Sequence, residues 1–278
     1  MDERGPGYYL LLAFFVVFVL FLYGPMTTIV ILSFQGPDGG LTFPMNGVST
    51  YWFANLFQKQ AVGDFWGSFG RSLKLGLMTM SVTVVFAVLG GFAFRRRFRG
   101  STFVFYLTIA SLIVPSILVS LGIGLLFRIL GMQPVWYASG LGAHLTWTLP
   151  FGLLIVFAVF NRFDRSYEEA ARDLGASAWQ TVRHVVLPII APSLIGVALF
   201  GFTLSYDEFA RSLMTMGVFN TLPLEIYGMT TNVTTPVLYA LGTLTTAFSL
   251  GVILVFLIAA LVVQRRRAKR GSDAGKAA

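Results

Sequence analysis

Residues suited to catalysis are sparse in this sequence. His144 and His184 lie in separate segments, the chain has no cysteine, and no H-E-x-x-H pattern occurs, so a metal site or a catalytic histidine pair is not expected. The phosphate-binding pattern G-x-x-x-x-G-K-[ST] is also missing, since the Gly275-Lys276 pair is followed by alanine. We predict no catalytic residue, no metal and no cofactor bound by this chain.

A pair of adjacent acids, Asp207 and Glu208, interrupts the apolar sequence LSYDEF. If a helix begins near Ile189, a rise of ~1.5 Å per residue places Tyr206 about 25 Å along it, toward the outer end of a membrane span. Ionisable groups at such depth are costly and often mark a transport pathway, so Tyr206, Asp207 and Glu208 are candidate pathway residues. An alternative of equal weight is that the acids end the helix and are neutralised by Arg211 one turn later.

A polar stretch from residue 166 to 188 has the pattern of two short helices joined at a corner. Ser166 and Glu169 have the spacing of a capping box, and Ser177 and Gln180 repeat it. Gly175 lies between the two boxes, where glycine adopts a left-handed C-cap without steric cost. These signals predict a stiff projection rather than a flexible loop.

The first predicted helix has an apolar face built from small residues. Tyr167, Ala170, Ala171 and Leu174 share this face by their i, i+3, i+4, i+7 spacing. A helix that lies on a membrane surface is usually rich in Lys and Arg, whereas this one is acidic and alanine-rich, which favours docking to another protein. The second predicted helix has an apolar face of its own, formed by Trp179, Val182, Val185 and Val186.

Long apolar runs make up the elements that hold these groups. Only 12% of the residues are charged and the mean hydropathy is +0.76, whereas soluble domains carry about 25% charged residues. A membrane span needs ~20 apolar helical residues. The sequence therefore predicts an all-α membrane protein, a single transmembrane domain over 1–278 with a loop at 161–188 and six transmembrane helices at about 8–33, 70–94, 102–128, 139–160, 189–210 and 236–263.

The first of these runs is interpreted as an uncleaved span rather than a signal peptide. Asp2, Glu3 and Arg4 provide no clear positive region before it, and the run is longer than the apolar part of an ordinary signal sequence.

The formal net charge of +8 is unevenly distributed between the two predicted membrane faces. With both termini in the cytoplasm, all of the excess charge lies on the cytoplasmic side and the outer side is neutral. Because Lys and Arg resist translocation, this asymmetry predicts that the 161–188 loop is cytoplasmic. Basic clusters beside spans are common topology signals, so we favour this interpretation over an RNA-binding or lipid-binding patch.

The loop sequence EAARDLGASAWQTVRHVVLP resembles the EAA loop of integral membrane subunits of bacterial ATP-binding-cassette importers. Glu169-Ala170-Ala171, Gly175, Val185 and Leu187-Pro188 occupy the positions of that pattern, with valine where isoleucine is usual. The resemblance implies a type I importer fold with a cytoplasmic coupling-helix loop that seats in a cleft of an ATPase. Glu169, Ala170, Ala171 and Gly175 are then the ATPase-coupling positions, and Leu174 joins them because it completes the apolar face.

The same resemblance implies the partners and the location of the protein. It implies two cytoplasmic ATP-binding-cassette subunits that use ATP-Mg, a second homologous permease subunit or a second copy, a periplasmic substrate-binding protein, and membrane lipid but no nucleic acid. The expected location is the bacterial inner membrane.

The segments LSYDEF and NTLPLEIYGM resemble the corresponding region of spermidine and putrescine permeases. Acids near the entrance suit a polycation, although Arg211 weakens their field. The region is also similar in permeases for ferric iron and for amino-acid-like compounds, so these solutes stay as alternatives.

Two other classes of protein compete with an importer subunit. A self-sufficient secondary carrier or channel would place charged relay groups deep within its spans, and few are present. A membrane enzyme would need a convergent nucleophile, base or metal site, and the sequence contains no such set.

Overall fold

The computed structural model describes residues 5–57, 63–96, 98–232 and 235–276, and across these ranges the chain is helical without a strand. An isolated antiparallel bridge joins Gln35 and Val48. The helices are α1 (Pro6–Leu32), α2 (Tyr51–Leu56), α3 (Phe65–Arg95), α4 (Ser101–Ala110), α5 (Ser116–Ile129), α6 (Leu141–Asn161), α7 (Ser166–Asp173), α8 (Ala178–Thr181), α9 (Leu187–Tyr206), α10 (Leu222–Asn232) and α11 (Val237–Lys276). Two π-helical turns, Trp136–Gly140 and Val182–Val186, lead directly into α6 and α9.

Within the described residues, five helical runs are long and apolar enough to cross a membrane. They are Pro6–Leu32, Phe65–Arg95, Trp136–Asn161, Ala178–Tyr206 and Val237–Arg265. These runs overlap the first, second, fourth, fifth and sixth predicted spans, which confirms the all-α membrane class.

The predicted third span, 102–128, is wrong as a single helix. The chain instead forms α4 and α5, separated by residues 111–115. Pro115 precedes α5 and has no backbone N–H to continue a helical ladder, and its ring disfavours the helical conformation at Val114. The Ser111 hydroxyl lies 2.6 Å from the carbonyl oxygen of Thr146 in α6, so a polar group at the break finds a partner.

The chain divides into two compact units, Met1–Phe65 with Ile226–Leu250 and Trp66–Glu225 with Gly251–Ala278. In the first unit, the buried side chain of Gln35 organises the segment after α1. Its amide donates to the carbonyl of Gly40 at 3.1 Å and accepts the N–H of Asn46 at 2.8 Å. The Tyr239 hydroxyl donates to the carbonyl of Leu41 at 2.7 Å. The prediction of one transmembrane domain stays a prediction.

The second unit is built on the packing of α3, α6 and α9. Its core consists of Ala87, Val156, Phe160, Val186, Ile190 and Val197. The helices approach closely at Gly201, where a Cβ would lie 3.1 Å from the Cα of Met80 and would crowd it. Small residues at such contacts let the helices pack through van der Waals contact alone.

Candidate functional site

The start of α7 differs from its prediction. Ser166 is the first helical residue rather than the N-cap, and its side chain makes no cap hydrogen bond, so the predicted Ser166–Glu169 capping box is wrong. The chain already has helical dihedrals at Arg165, and the carboxylate of Asp164 accepts the N–H of Ser166 at 2.9 Å. The backbone and side-chain hydrogen bonds from Ser166 hold the pKa of Asp164 below its usual value.

The end of α7 confirms the predicted glycine corner. Gly175 has φ +83°, in the left-handed region. Its N–H donates to the carbonyl of Arg172 at 2.8 Å, and the N–H of Ala176 donates to the carbonyl of Ala171 at 3.0 Å. These two bonds form a Schellman motif, which satisfies carbonyls that the helix end would leave unpaired.

The second predicted capping box is present. The N–H of Gln180 donates to the Ser177 hydroxyl at 3.3 Å, and the Gln180 side chain accepts the N–H of Ser177 at 2.8 Å.

The second short helix begins where it is predicted, but the prediction that it ends before a separate span near 189 is wrong. Ala178–Tyr206 is one continuous helical run of 29 residues. The π turn Val182–Val186 lies just before Pro188, where it accommodates the missing N–H so that the helix continues. Of the predicted apolar face of 179–186, Val186 is buried, whereas Trp179 is 66% exposed.

The five predicted coupling residues lie together on α7 and its corner. Leu174 is 89% exposed, Glu169, Ala170 and Gly175 are exposed, and Ala171 is half-buried. A large apolar side chain that is held in the open by a rigid corner forms a surface suited to a protein contact. Their role in coupling stays a prediction at this point.

An ion pair that sequence reasoning missed holds α7 against α3. Arg95 at the end of α3 bonds the carboxylate of Glu168, and both side chains are 14% exposed. The Arg95 guanidinium also lies over the rings of Phe160 and Phe163, at 4.8 and 5.3 Å from the ring centroids. The two charged residues are 73 positions apart, so no local pattern indicates the pair.

The three predicted pathway residues have different environments. Tyr206 is buried and stacks on Phe202, with ring centroids 5.7 Å apart. Asp207 caps α9 and is exposed. Glu208 is buried, and it accepts the N–H of Arg211 at 2.8 Å. Asp207 alone of the three is thus an accessible acid, and a pathway role for the group stays a prediction.

Arg211 is a buried cation that anchors the segment after α9. It is 2% exposed, and its guanidinium lies 3.7 Å from the Glu208 carboxylate. It donates to the hydroxyl of Thr146 in α6 at 3.1 Å and to that of Ser116 in α5 at 2.6 Å, and it lies 4.6 Å from the Trp147 ring centroid. The predicted neutralisation of the acid pair by Arg211 therefore holds for Glu208.

His144 is the centre of a second buried network. One ring nitrogen lies 2.8 Å from the Ser205 hydroxyl, and the other lies 3.0 Å from the Ser212 hydroxyl. Ser205 in turn donates to Thr79 in α3 at 3.1 Å. The network links three helices to the segment after α9 and satisfies polar groups that burial would otherwise penalise. Over the described part of the chain, no group of three or more His or acidic residues is placed to hold a metal ion.

The membrane-spanning helices and the rigid exposed corner define a multi-pass membrane protein, and two buried polar networks hold its second unit together. The family model described as "Binding-protein-dependent transport system inner membrane component" matches residues 83–269. The chain belongs to this family, and it is a permease subunit of an ABC importer.

Relatives match over nearly the whole length. The spermidine/putrescine transport system permease protein PotC of Shigella flexneri is 29% identical, over 94% of this chain and 96% of that protein. The putrescine transport system permease protein PotI of Escherichia coli K12 is 30% identical, over 90% of this chain and 92% of that protein.

Solved structures confirm the fold. A bacterial ABC transporter involved in the import of the acidic polysaccharide alginate superposes with a TM-score of 0.65 at 15% identity, over 93% of this chain and 94% of that chain. The MetNI methionine ABC transporter superposes with a TM-score of 0.52 at 17% identity, over 70% of this chain and 96% of that chain.

Proposed function

We propose that this chain forms half of a transmembrane pathway whose opening is driven by two cytoplasmic ATP-binding-cassette subunits. In this proposal a second permease subunit, either homologous or a second copy, completes the pathway, and a periplasmic binding protein delivers the solute. ATP-Mg is bound and hydrolysed in the partner subunits, and the chain itself contributes no catalytic group. Membership of a binding-protein-dependent transport family supports this assembly.

The exposed Leu174 at a capped corner is the observation that carries the proposal. An apolar side chain at 89% exposure adds little stability to the chain that bears it, so its burial against a partner would stabilise the complex instead. The Schellman bonds of Gly175 and the cap at Ser177 order the backbone on both sides before any partner binds. A preordered contact loses little conformational entropy on docking. We therefore assign Glu169, Ala170, Ala171, Leu174 and Gly175 to the ATPase contact.

The absence of native cysteine makes a crosslinking test direct. Leu174→Cys should form a crosslink with the ATPase subunit in membranes that contain the whole importer. Val218→Cys is the matched control, since Val218 is 90% exposed in the segment after α9 and lies outside the proposed contact. Crosslinks from position 174 that reach only lipid would contradict the proposal.

We infer that a polyamine is the first solute to test. The relatives named for spermidine and putrescine transport support this choice, as does Asp207, an acidic residue in an exposed position. Ferric iron and amino-acid-like compounds are the alternatives. Uptake of labelled spermidine and putrescine into proteoliposomes that contain the full importer and its binding protein distinguishes them. Uptake by this chain without the ATPase would instead support a self-sufficient carrier or channel.

Both termini lie in the cytoplasm under this proposal, because the basic residues are concentrated on the face that carries α7. Labelling of single cysteines from each side of intact inner-membrane vesicles tests this orientation. A label at position 174 that is accepted only from the periplasmic side would overturn it.

A further inference from the structure

A cavity lies between the end of α3, the helix α7 and the start of α8. Its volume is about 330 Å³, at the small end of the range for small-molecule sites. Four arginines line it, together with the two adjacent glutamates of α7. The cavity belongs entirely to the second unit, and of the residues proposed for the ATPase contact only Glu169 lines it.

The arginines give the cavity an uncompensated positive charge. Arg95 is paired with Glu168, which leaves Arg96, Arg165 and Arg172 facing Glu169. Among the residues that the structure describes, none of these three arginines forms an ion pair. Like charges gathered in a recess repel one another unless an anion joins them, and the planar guanidinium is well suited to phosphate oxygens.

The wall beneath the cavity is apolar along one stripe of α3. Val85, Leu89 and Phe92 follow i, i+4, i+7 spacing, so they lie on the same face of α3, and Arg96 directly follows the end of that helix. Val85 and Leu89 are 53% and 57% exposed, whereas Phe92 and Arg96 line the cavity itself. A hydrocarbon chain placed along this stripe would lead to the positively charged cavity. Such an arrangement matches a lipid, with its acyl chain below and its charged headgroup above.

We propose that the cavity binds a phosphate group, and that this phosphate belongs to the headgroup of an anionic phospholipid. The charge clusters of the sequence taken alone indicate only topology. The cavity provides a place for the lipid headgroup, and the apolar stripe of α3 provides a place for its acyl chain. Arg95 lines the cavity without binding the phosphate, because its ion pair with Glu168 and its contacts with the rings of Phe160 and Phe163 hold its side chain in position. Arg96 and Arg165 bind the phosphate oxygens.

Native mass spectrometry of the full-length chain, released from phosphatidylcholine nanodiscs that contain phosphatidylglycerol or cardiolipin, measures this binding without any partner subunit. The wild-type chain should retain the anionic lipids and release phosphatidylcholine. Arg96→Gln and Arg165→Gln should each weaken retention about five-fold, since one basic residue near an anionic surface contributes about 1 kcal/mol. Arg162→Gln and Arg183→Gln are matched controls, because both residues are exposed and lie outside the cavity lining.

A second pair of variants tests the recess without removing an arginine. Ala178→Glu places an acid in the cavity at the first turn of a helix, where an acid is favourable for folding, and it should abolish lipid retention. Ala178→Gln, of similar size and neutral, should retain the lipid. Leu89→Ser should weaken retention of lipid but not binding of inorganic phosphate.

Three results would overturn the proposal. Equal losses in Arg162→Gln and Arg96→Gln would show a general charge effect rather than a site. Displacement of cardiolipin by an equal concentration of inorganic phosphate would keep the phosphate site but reject the lipid as its source. Unchanged lipid retention in all variants, with weaker ATPase binding in Arg96→Gln, would assign the cavity to a protein contact. Because the lipid measurement needs no ATPase, its failure is distinct from a failure of the transport proposal.

Discussion

Replacement of Gly175 tests the corner through its backbone alone. A Cβ at this position meets no atom within 4 Å, so the Cβ of a substituted residue causes no clash. Its φ of +83° nevertheless costs an L-residue roughly 1–2 kcal/mol, and more for a β-branched side chain. The two Schellman hydrogen bonds that hold the corner contribute about 0.5–1.5 kcal/mol each. Gly175→Val therefore removes about as much free energy as those bonds supply.

The expected result is a graded loss of coupling with intact membrane insertion. Gly175→Asn should be close to wild type, because asparagine tolerates the left-handed region; Gly175→Ala should be intermediate; and Gly175→Val should be most impaired. A penalty of about 2 kcal/mol lowers the population of the native corner relative to open forms about 30-fold. The measurement is ATP hydrolysed per solute imported in proteoliposomes of the complete importer.

The order of the three variants is the decisive readout. If valine couples as well as glycine, the left-handed corner has no part in coupling. If asparagine is as impaired as valine, the effect comes from side-chain contact with a partner rather than from backbone strain. Protein yield in the membrane serves as the control, since none of the three changes touches an apolar span.

Four further outcomes follow from the described contacts. Leu174→Asp should abolish co-purification of the ATPase without lowering the thermal stability of the chain, because the side chain is 89% exposed; a lowered melting temperature would contradict this. Arg95→Gln should release α7 from α3 and raise amide hydrogen exchange in α7, at a cost of about 1.5–3 kcal/mol for a lost charged hydrogen bond; unchanged exchange would show that the pair is idle. Arg211→Met should lower the free energy of unfolding by about 3–5 kcal/mol, because it leaves the Glu208 carboxylate of a buried pair uncompensated. A free energy of unfolding equal to that of the wild type would contradict the anchoring role of Arg211. Asp207→Asn should raise the KM for polyamine uptake with stability unchanged, whereas Asp38→Asn, another exposed acid, should leave uptake unaltered.

Local sequence patterns predicted those features whose partners are close along the chain. The capping box of Ser177 and Gln180 and the corner at Gly175 depend on residues three to five positions apart, so their spacing is visible in the sequence. Hydropathy predicted six spans, and five of them overlap helical runs of the described residues that are long enough to cross a membrane, because each such run is visible without reference to another.

The sequence did not predict features that depend on distant partners or on competition between neighbouring signals. Arg211 bonds side chains 65 and 95 positions away, and His144 bonds hydroxyls 61 and 68 positions away. At the start of α7, Asp164 and Ser166 both have cap-forming side chains, and the earlier acid forms the bond. The prolines at 115 and 188 show the same ambiguity: the first marks a break between helices, whereas a π turn before the second lets the helix continue.

The continuity of Ala178–Tyr206 gives the corner a physical connection to the other end of the molecule's second unit. A helical run of 29 residues spans roughly 43 Å at 1.5 Å per residue. The capped corner precedes its first residue, and the exposed Asp207 follows its last. Buried contacts along the run, from Val186 through Ile190 and Val197, hold it against α3 and α6. A displacement of the corner therefore has to move or tilt a whole helix. The π turn at 182–186 and Pro192 inside α9 are places in that run where the hydrogen-bond ladder is locally altered, so bending is expected near them rather than toward the end of α9.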